Sequence, residues 1–276
     1  LKNLNIFSYL INRFLRVKKI YLSIIGLRRF FIKSPGLTLV GVGPGDPMLL
    51  TIAAVNSIKK ATLIAYPISS YQTKSMAAEI ASSWIKNKKK LELIFPMVKN
   101  LDLLSEAWIS ASHKLAKAVL NGEKVVFLCQ GDSSLYATSS YLLIYIKSLY
   151  PECPITVIPG INSFSLAAAI GQLPLSLQTE TLLISPVPES KFSLENILDE
   201  CINSERTLVL LKLGSKWEWV RSVLEEKGLL EKTLVAQKLG FSDQQLSKGI
   251  DTLSEQISYF SLLIIRPTDF SKYYKK

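Results

Sequence analysis

Short apolar runs alternate with longer stretches of helical periodicity along the first two thirds of the chain. Residues 37–42, 61–67, 91–97, 124–129 and 155–159 read as buried strands, several of them closed by proline or glycine. Between them, Leu49, Ile52, Ala53 and Ile58 recur at helical spacing ahead of a basic pair, and Met76, Ala77, Ile80, Ala81, Trp84 and Ile85 form a second such face. A third helix carries Leu104, Trp108, Ala111, Leu115 and Val119 as its apolar stripe, with Asp102 as the expected cap and Asn121-Gly122 as the stop. Further helices are expected over 137–150 and 166–171. Strand and helix in strict alternation predict an α/β fold with a largely parallel sheet.

The texture changes beyond QLPLSLQTE at 172–180. Segments 181–186, 206–214, 232–240 and 257–267 read as strands, with helices near 193–201 and 216–227, so a second, mixed α/β domain is expected. Residues 171–179 are the expected boundary, giving an extension over 1–35, an N-terminal domain over 36–177 and a C-terminal domain over 178–276. The lysine-rich end, 271–276, reads as a frayed tail.

Charge sharpens this division. Of the net +11, eight positive charges lie on Lys2, Arg13, Arg16, Lys18, Lys19, Arg28, Arg29 and Lys33, in a segment without an acid, which leaves +3 for the rest. The body is therefore only mildly basic, which argues against a nucleic-acid-tracking protein and is compatible with acidic small-molecule substrates. Within residues 1–34 no charge-free run reaches the roughly 18–20 residues of a transmembrane helix. Two readings stay open for that segment: an amphipathic, membrane-surface or transit-like sequence, or an extension outside the fold from an overextended reading frame, since the chain starts with Leu. The uncharged stretch 153–179 is interrupted by Pro154, Pro159, Gly160, Gly171 and Pro174 and so reads as strand, turn, helix and turn, not as a span. Cys129, Cys153 and Cys201 are too few and scattered for a disulfide framework or zinc site, and they suit a reducing cytoplasm. The lone histidine, His113, lies off its helix's apolar stripe and reads as a surface residue.

Candidate chemistry sits in the loops after three strands. GVGPGD at 41–46 invites a dinucleotide reading, but Asp46 stands where the third glycine of G-x-G-x-x-G belongs, and Pro44 has no amide to donate. This counts against a nicotinamide oxidoreductase, and the absence of G-x-x-x-x-G-K-[ST] removes P-loop chemistry. Taken together, Gly43, Gly45, Gly131 and Gly160 are expected to clear space at adjacent strand ends, while Asp132, Asn162 and Ser163 supply polar groups to a small-molecule cleft.

Three stretches in order, GVGPGDPMLLT, VFLCQGDSSLY and VIPGINSFSLAAAIGQLPL, resemble the tetrapyrrole methylase family over about residues 37–266. IFPM at 94–97, Ala107-Trp108, SLYATSSYL at 134–142 and LLKLG at 210–214 are similar to its branch that methylates precorrin-2 at C20 in cobalamin biosynthesis. The resemblance implies a homodimer of two-domain subunits, a tetrapyrrole substrate, and S-adenosylmethionine held in a trough between the domains; the mildly basic body adds no nucleic-acid partner. It implies cofactor contacts at Pro44, Gln130, Gly131, Asp132, Leu135, Asn162 and Ser163, with Leu213 and Gly249 closing from the second domain. Where relatives commonly read E-G-D-P, this chain has Gln130-Gly131-Asp132-Ser133, so no role of an acid at 130 transfers. Tyr136 and Lys212 are candidate substrate contacts, each with a packing or surface role as its alternative. No residue is singled out as a catalytic base and no metal-handling motif is present in the sequence. Another tetrapyrrole methylase, acting on uroporphyrinogen III or precorrin-4, is the alternative reading.

Overall fold

A computed structural model describes residues 35–252, 257–270 and 273. The basic segment 1–34, and the expected tail apart from Tyr273, therefore lie outside the described residues.

The first half forms a parallel sheet from β1 (Gly36–Gly41), β2 (Leu63–Ile68), β3 (Lys89–Ile94), β4 (Lys124–Cys129) and β5 (Ile155–Ile158), in the order β3-β2-β4-β1-β5. Parallel strands need crossovers, and the intervening helices supply them: α1 (Ile52–Lys60), α2 (Met76–Ile80), α3 (Ser82–Ile85), α4 (Leu101–Leu120) and α5 (Thr138–Leu149). Alternation along each strand sorts the side chains between two faces. Leu37, Leu39, Ala65, Val125 and Phe127 pack with Ala111, Leu115, Val119 and Leu142 of α4 and α5. Val40, Ile64, Val126 and Leu128 pack with Ala54, Ile58, Ile80 and Ile85 of the three shorter helices. Both faces are thus covered, which is why these strands read as continuous apolar runs.

The second sheet runs in the order β6-β7-β10-β8-β9, from β6 (Leu182–Pro186), β7 (Thr207–Leu211), β8 (Thr233–Gln237), β9 (Gln245–Lys248) and β10 (Ser261–Ile265). Among the described residues only its β6–β7 pair is parallel. One face packs on α7 (Lys191–Asn203) and α8 (Trp217–Glu226) through Leu194, Leu198, Trp217 and Val220. The other face is covered by α6 (Ser163–Ile170), a helix from the first half of the chain, through Phe164, Ala167 and Ala168. α6 therefore couples the third loop of the first sheet directly to the second sheet.

The connector behind α6 is fixed by a buried ion pair. Arg266 donates to both carboxylate oxygens of Glu180 at 2.9 and 2.6 Å and to the carbonyls of Pro174 and Leu175 at 3.3 Å. Its side chain is 3% exposed and that of Glu180 6%, so the pair is bound to this one arrangement by the cost of leaving either charge alone in the interior.

Several local expectations are corrected. The loop after β1 first makes a 3₁₀ turn at Pro47–Leu49, capped by Asp46, and α1 starts only after Thr51 caps its first turn. This rotates the helix so that Ala54 and Ile58 are buried while Ile52 is 81% exposed. Asn100, not Asp102, caps α4, accepting from the amides of Asp102 and Leu103 at 2.9 and 3.1 Å. Pro67 lies inside β2 instead of ending it. β9 has no apolar run that would announce it, since half of its four residues are exposed.

Candidate active site

β4, β1 and β5 are neighbours, so the loops at their carboxyl ends meet along one edge of the first sheet. Their contact is backbone to backbone. Gly43 and Gly131 exchange amide-to-carbonyl hydrogen bonds of 3.1 and 2.8 Å, and the amide of Val42 donates to the carbonyl of Cys129 at 2.9 Å. A Cβ at Gly160 would fall 2.1 Å from the carbonyl oxygen of Gly131, and one at Gly41 would fall 2.6 Å from that oxygen and from the Gly160 amide nitrogen. Gly45 performs the same service toward the second half: its Cβ would fall 2.2 Å from the Leu239 carbonyl oxygen.

This corrects the expectation that the glycines simply clear room for a ligand. Gly41, Gly45 and Gly160 make room for neighbouring backbone. Gly131, at φ +69°, has nothing within 4 Å of its Cβ position and is the loop glycine that borders open space.

Asp132 ties the loops together. One carboxylate oxygen accepts from the amide of Ser134 at 2.8 Å and from its hydroxyl, and the other accepts from the Gly160 amide at 2.8 Å. Burial works to raise the pKa of this group, but the donors of Ser134, Gly160 and Ser133 together outweigh it and hold the carboxylate below its ordinary value. Asp132 is thus an ionised strut between the second and third loops. The Ser133 hydroxyl joins the same pair, donating to the Ile158 carbonyl at 2.8 Å. Gln130 reaches the first loop, its Nε2 donating to the Pro44 carbonyl at 3.3 Å, a bond that a carboxylate at that position could not donate.

Between these loops and the second sheet lies a cavity of about 370 Å³. Pro44, Gln130, Gly131, Asp132, Leu135, Tyr136, Asn162, Ser163 and Lys212 all line it, so nine of the sequence candidates converge on one space. The side chain of Leu213 instead packs into the core under α7 and α8, and Gly249 sits against the Leu230 carbonyl and Thr233; neither lines the cavity.

The second half contributes walls that were not anticipated: Lys238, Leu239, Phe241, Tyr259 and Phe260. A signal for the first two was present, because Lys-Leu-Gly occurs twice, at 212–214 after β7 and at 238–240 after β8. Both corners turn through positive φ, 60° at Lys212 and 46° at Lys238, followed by 50° at Gly214 and 81° at Gly240. With Tyr136 at 50°, three of the six non-glycine residues at positive φ among the described residues border this cavity, the kind of strain that collects at functional sites.

The ionisable groups at the floor are poor proton acceptors. Asp132 is committed to its donors, and burial pushes the Cys129 thiol up to about 12. His113 is remote from this chemistry: it is exposed on α4 and pairs through Nδ1 with the Tyr150 hydroxyl at 2.6 Å. What the arrangement does offer is shape, apolar wall and oriented backbone. Asn162 precedes α6 without its side chain capping the helix, so the first turn of that helix presents uncapped amides beside Ser163 at the cavity.

Residues 36–254 match the family described as Tetrapyrrole (Corrin/Porphyrin) Methylases. A probable cobalt-precorrin-2 C(20)-methyltransferase of Methanocaldococcus jannaschii is 34% identical over 82% of this chain and 94% of its own length. The cobalt-precorrin-2 C(20)-methyltransferase of Salmonella typhimurium is 23% identical over 83% of this chain and 95% of that protein. Among solved structures, the uroporphyrin-III C-methyl transferase of Thermus thermophilus complexed with S-adenosyl homocysteine superposes with a TM-score of 0.55 at 18% identity, covering 87% of this chain and 100% of that one.

Proposed function

The chain belongs to the tetrapyrrole methylase family, and from that premise we propose that it transfers the methyl group of S-adenosylmethionine to C20 of precorrin-2 or of its cobalt form, in corrin-ring synthesis. The observation that carries the reading is the convergence of the three strand-end loops on one cavity, in a chain whose relative at 34% identity is named for that reaction.

The residues present fit the methyl donor. A cavity of about 370 Å³ falls within the roughly 300–1,000 Å³ range of small-molecule sites. The open Cβ position of Gly131 lets a ligand approach the backbone of the second loop, and the first turn of α6 offers donors to an anionic or carbonyl group. Pro44, Gln130, Gly131, Asp132, Leu135, Asn162 and Ser163 would hold it. S-adenosylmethionine supplies an activated methyl group whose in-line transfer needs position and orientation before any strong base. The chain's part is then to fix that geometry: Asp132 locks the loops, Leu135 and Phe241 give an apolar wall, and Tyr136 with Lys212 borders the mouth from opposite halves.

The reading is tested by incubating the protein with S-adenosylmethionine and, in turn, precorrin-2, its cobalt form and uroporphyrinogen III, then locating the new methyl by NMR. A methyl at C20 of a precorrin-2 species is expected. One at C2 or C7 would assign the chain to a different methylation.

A homodimer is part of the same proposal. α4 and α5 pack side by side yet leave Leu103, Ile109, Leu120, Ile144 and Leu149 exposed, with Trp108 stacked on the half-exposed Tyr141 at 3.9 Å. So much apolar surface on one helix pair suits a second copy. Sedimentation velocity is expected to show a dimer, which Ile144→Lys shifts toward monomer; a monomer boundary for the unsubstituted protein would remove this part of the proposal. A cytoplasmic location is also proposed, in keeping with three buried free thiols and checked by cell fractionation. No helix among the described residues is long and apolar enough to cross a membrane.

A further inference from the structure

The two Lys-Leu-Gly corners are alike in backbone and different in charge. Lys238 points its ammonium at Asp243, 2.5 Å away, and is neutralised there. Lys212 has no carboxylate within ion-pair distance among the described residues. Its ammonium lies 5.8 Å from the ring centroid of Tyr136, at the rim of the cavity. Tyr136 comes from the first half of the chain and is itself anchored to the second, its hydroxyl donating to the Ile184 carbonyl at 3.2 Å.

Both partners of this contact hold left-handed backbone, φ 60° for Lys212 and 50° for Tyr136. Glycine would satisfy that geometry with less strain, and Gly214 does so two positions later at φ 50°. A lysine kept in a glycine conformation, held over a ring and without a carboxylate partner among the described residues, is a cation placed to meet an anionic ligand. Asp132, the carboxylate that shares the cavity lining, is already saturated by Ser134 and Gly160.

The geometry points to Lys212 as a specificity-determining residue that receives a peripheral carboxylate of the tetrapyrrole, with the Tyr136 ring as the support that holds the ammonium over the mouth of the cavity. This rests on the tetrapyrrole methylase reading and adds to it the group that recognises the substrate's acidic rim. Lys212 then acts on macrocycle binding, not on the methyl donor or on the transfer step, because a charge at the rim contacts the substrate equally before and during transfer.

The test uses the full chain and two ligands read separately: uroporphyrin, a carboxylate-bearing macrocycle that accepts no methyl, by fluorescence quenching, and S-adenosylhomocysteine by calorimetry. Lys212→Gln is expected to weaken uroporphyrin about tenfold, the scale of one charge-assisted hydrogen bond. Lys212→Arg should restore most of that, and S-adenosylhomocysteine affinity should be the same in all three proteins. Lys212→Gly separates charge from backbone strain: it should share the binding defect of Lys212→Gln while melting at or above the temperature of the unsubstituted protein. With precorrin-2 as substrate, the same substitutions should raise KM and leave kcat. Equal uroporphyrin affinity in Lys212→Gln and the unsubstituted protein overturns the inference, as does a matching loss of S-adenosylhomocysteine binding, which would mark a structural role. Absence of methyl transfer by the unsubstituted protein would overturn the function proposed above, while the uroporphyrin comparison would still decide the role of Lys212.

Discussion

Gly160→Ala is expected to cost about 3 kcal/mol or more of folding stability and to abolish measurable binding of S-adenosylhomocysteine, the scale of overpacking against groups that cannot yield. The new Cβ would sit 2.1 Å from the Gly131 carbonyl oxygen and 2.8 Å from the Gly41 carbonyl carbon. Neither atom belongs to a flexible side chain. Both lie at the ends of paired strands, β4 and β1, whose register continues up to Gly41 opposite Cys129. Room can be made only by prising the third loop away from the other two, which also breaks the bond from the Gly160 amide to Asp132. Gly131→Ala is the informative comparison. Its Cβ meets nothing within 4 Å, so the cost is that of a left-handed alanine at φ +69°, about 1–2 kcal/mol, and the fold should survive. Urea unfolding followed by circular dichroism measures both. A Gly160→Ala protein as stable as the unsubstituted one would show that the three loops do not touch in solution.

That clash explains which parts of the site could be read from residues alone. The apolar runs of the first sheet are covered on both faces, so hydrophobicity and proline punctuation locate β1, β4 and β5 to within a residue or two, and with them the loops. What each glycine is for could not be read that way. Gly45, Gly131 and Gly160 look alike in sequence, yet one faces open space and two face backbone, a distinction set by how neighbouring strands align. The far wall was hidden for a related reason. Leu213 and Leu239 occupy the same place in two Lys-Leu-Gly corners, but the first packs under α7 and α8 and the second lines the cavity. Hydrophobicity says that both are buried; only the position of each strand in the second sheet says on which face. α6 shows the same limit. Its small apolar residues announce a buried helix, but nothing local indicates that Phe164 and Ala167 pack against strands that come later in the chain. Asn100 competes with Asp102 for the cap of α4 and wins by two positions, a difference below what spacing alone resolves.

Asp132→Asn is the second substitution expected to have a large effect. The carboxylate presents one oxygen to Ser134 and the other to the Gly160 amide, so all its neighbours are donors. An asparagine can turn only one acceptor toward them; its amide then faces a donor on the other side, whichever way it flips. Losing one charge-assisted hydrogen bond and leaving a buried N–H without an acceptor should cost about 2–3 kcal/mol and lower S-adenosylhomocysteine affinity about tenfold or more. The pH dependence separates this from a packing defect. Because the folded-state pKa of Asp132 is lowered, its contribution is fully present above the unfolded-state value and is lost as pH falls through the folded one. The stability gap between the two proteins should therefore stay constant from about pH 8 down to about pH 5 and narrow only below about pH 4, as the carboxylate becomes protonated in the unfolded chain and then in the folded one. Urea titrations across that range check it. A gap that narrows between pH 8 and pH 5 would mean that Asp132 is not the ionised strut joining the second and third loops.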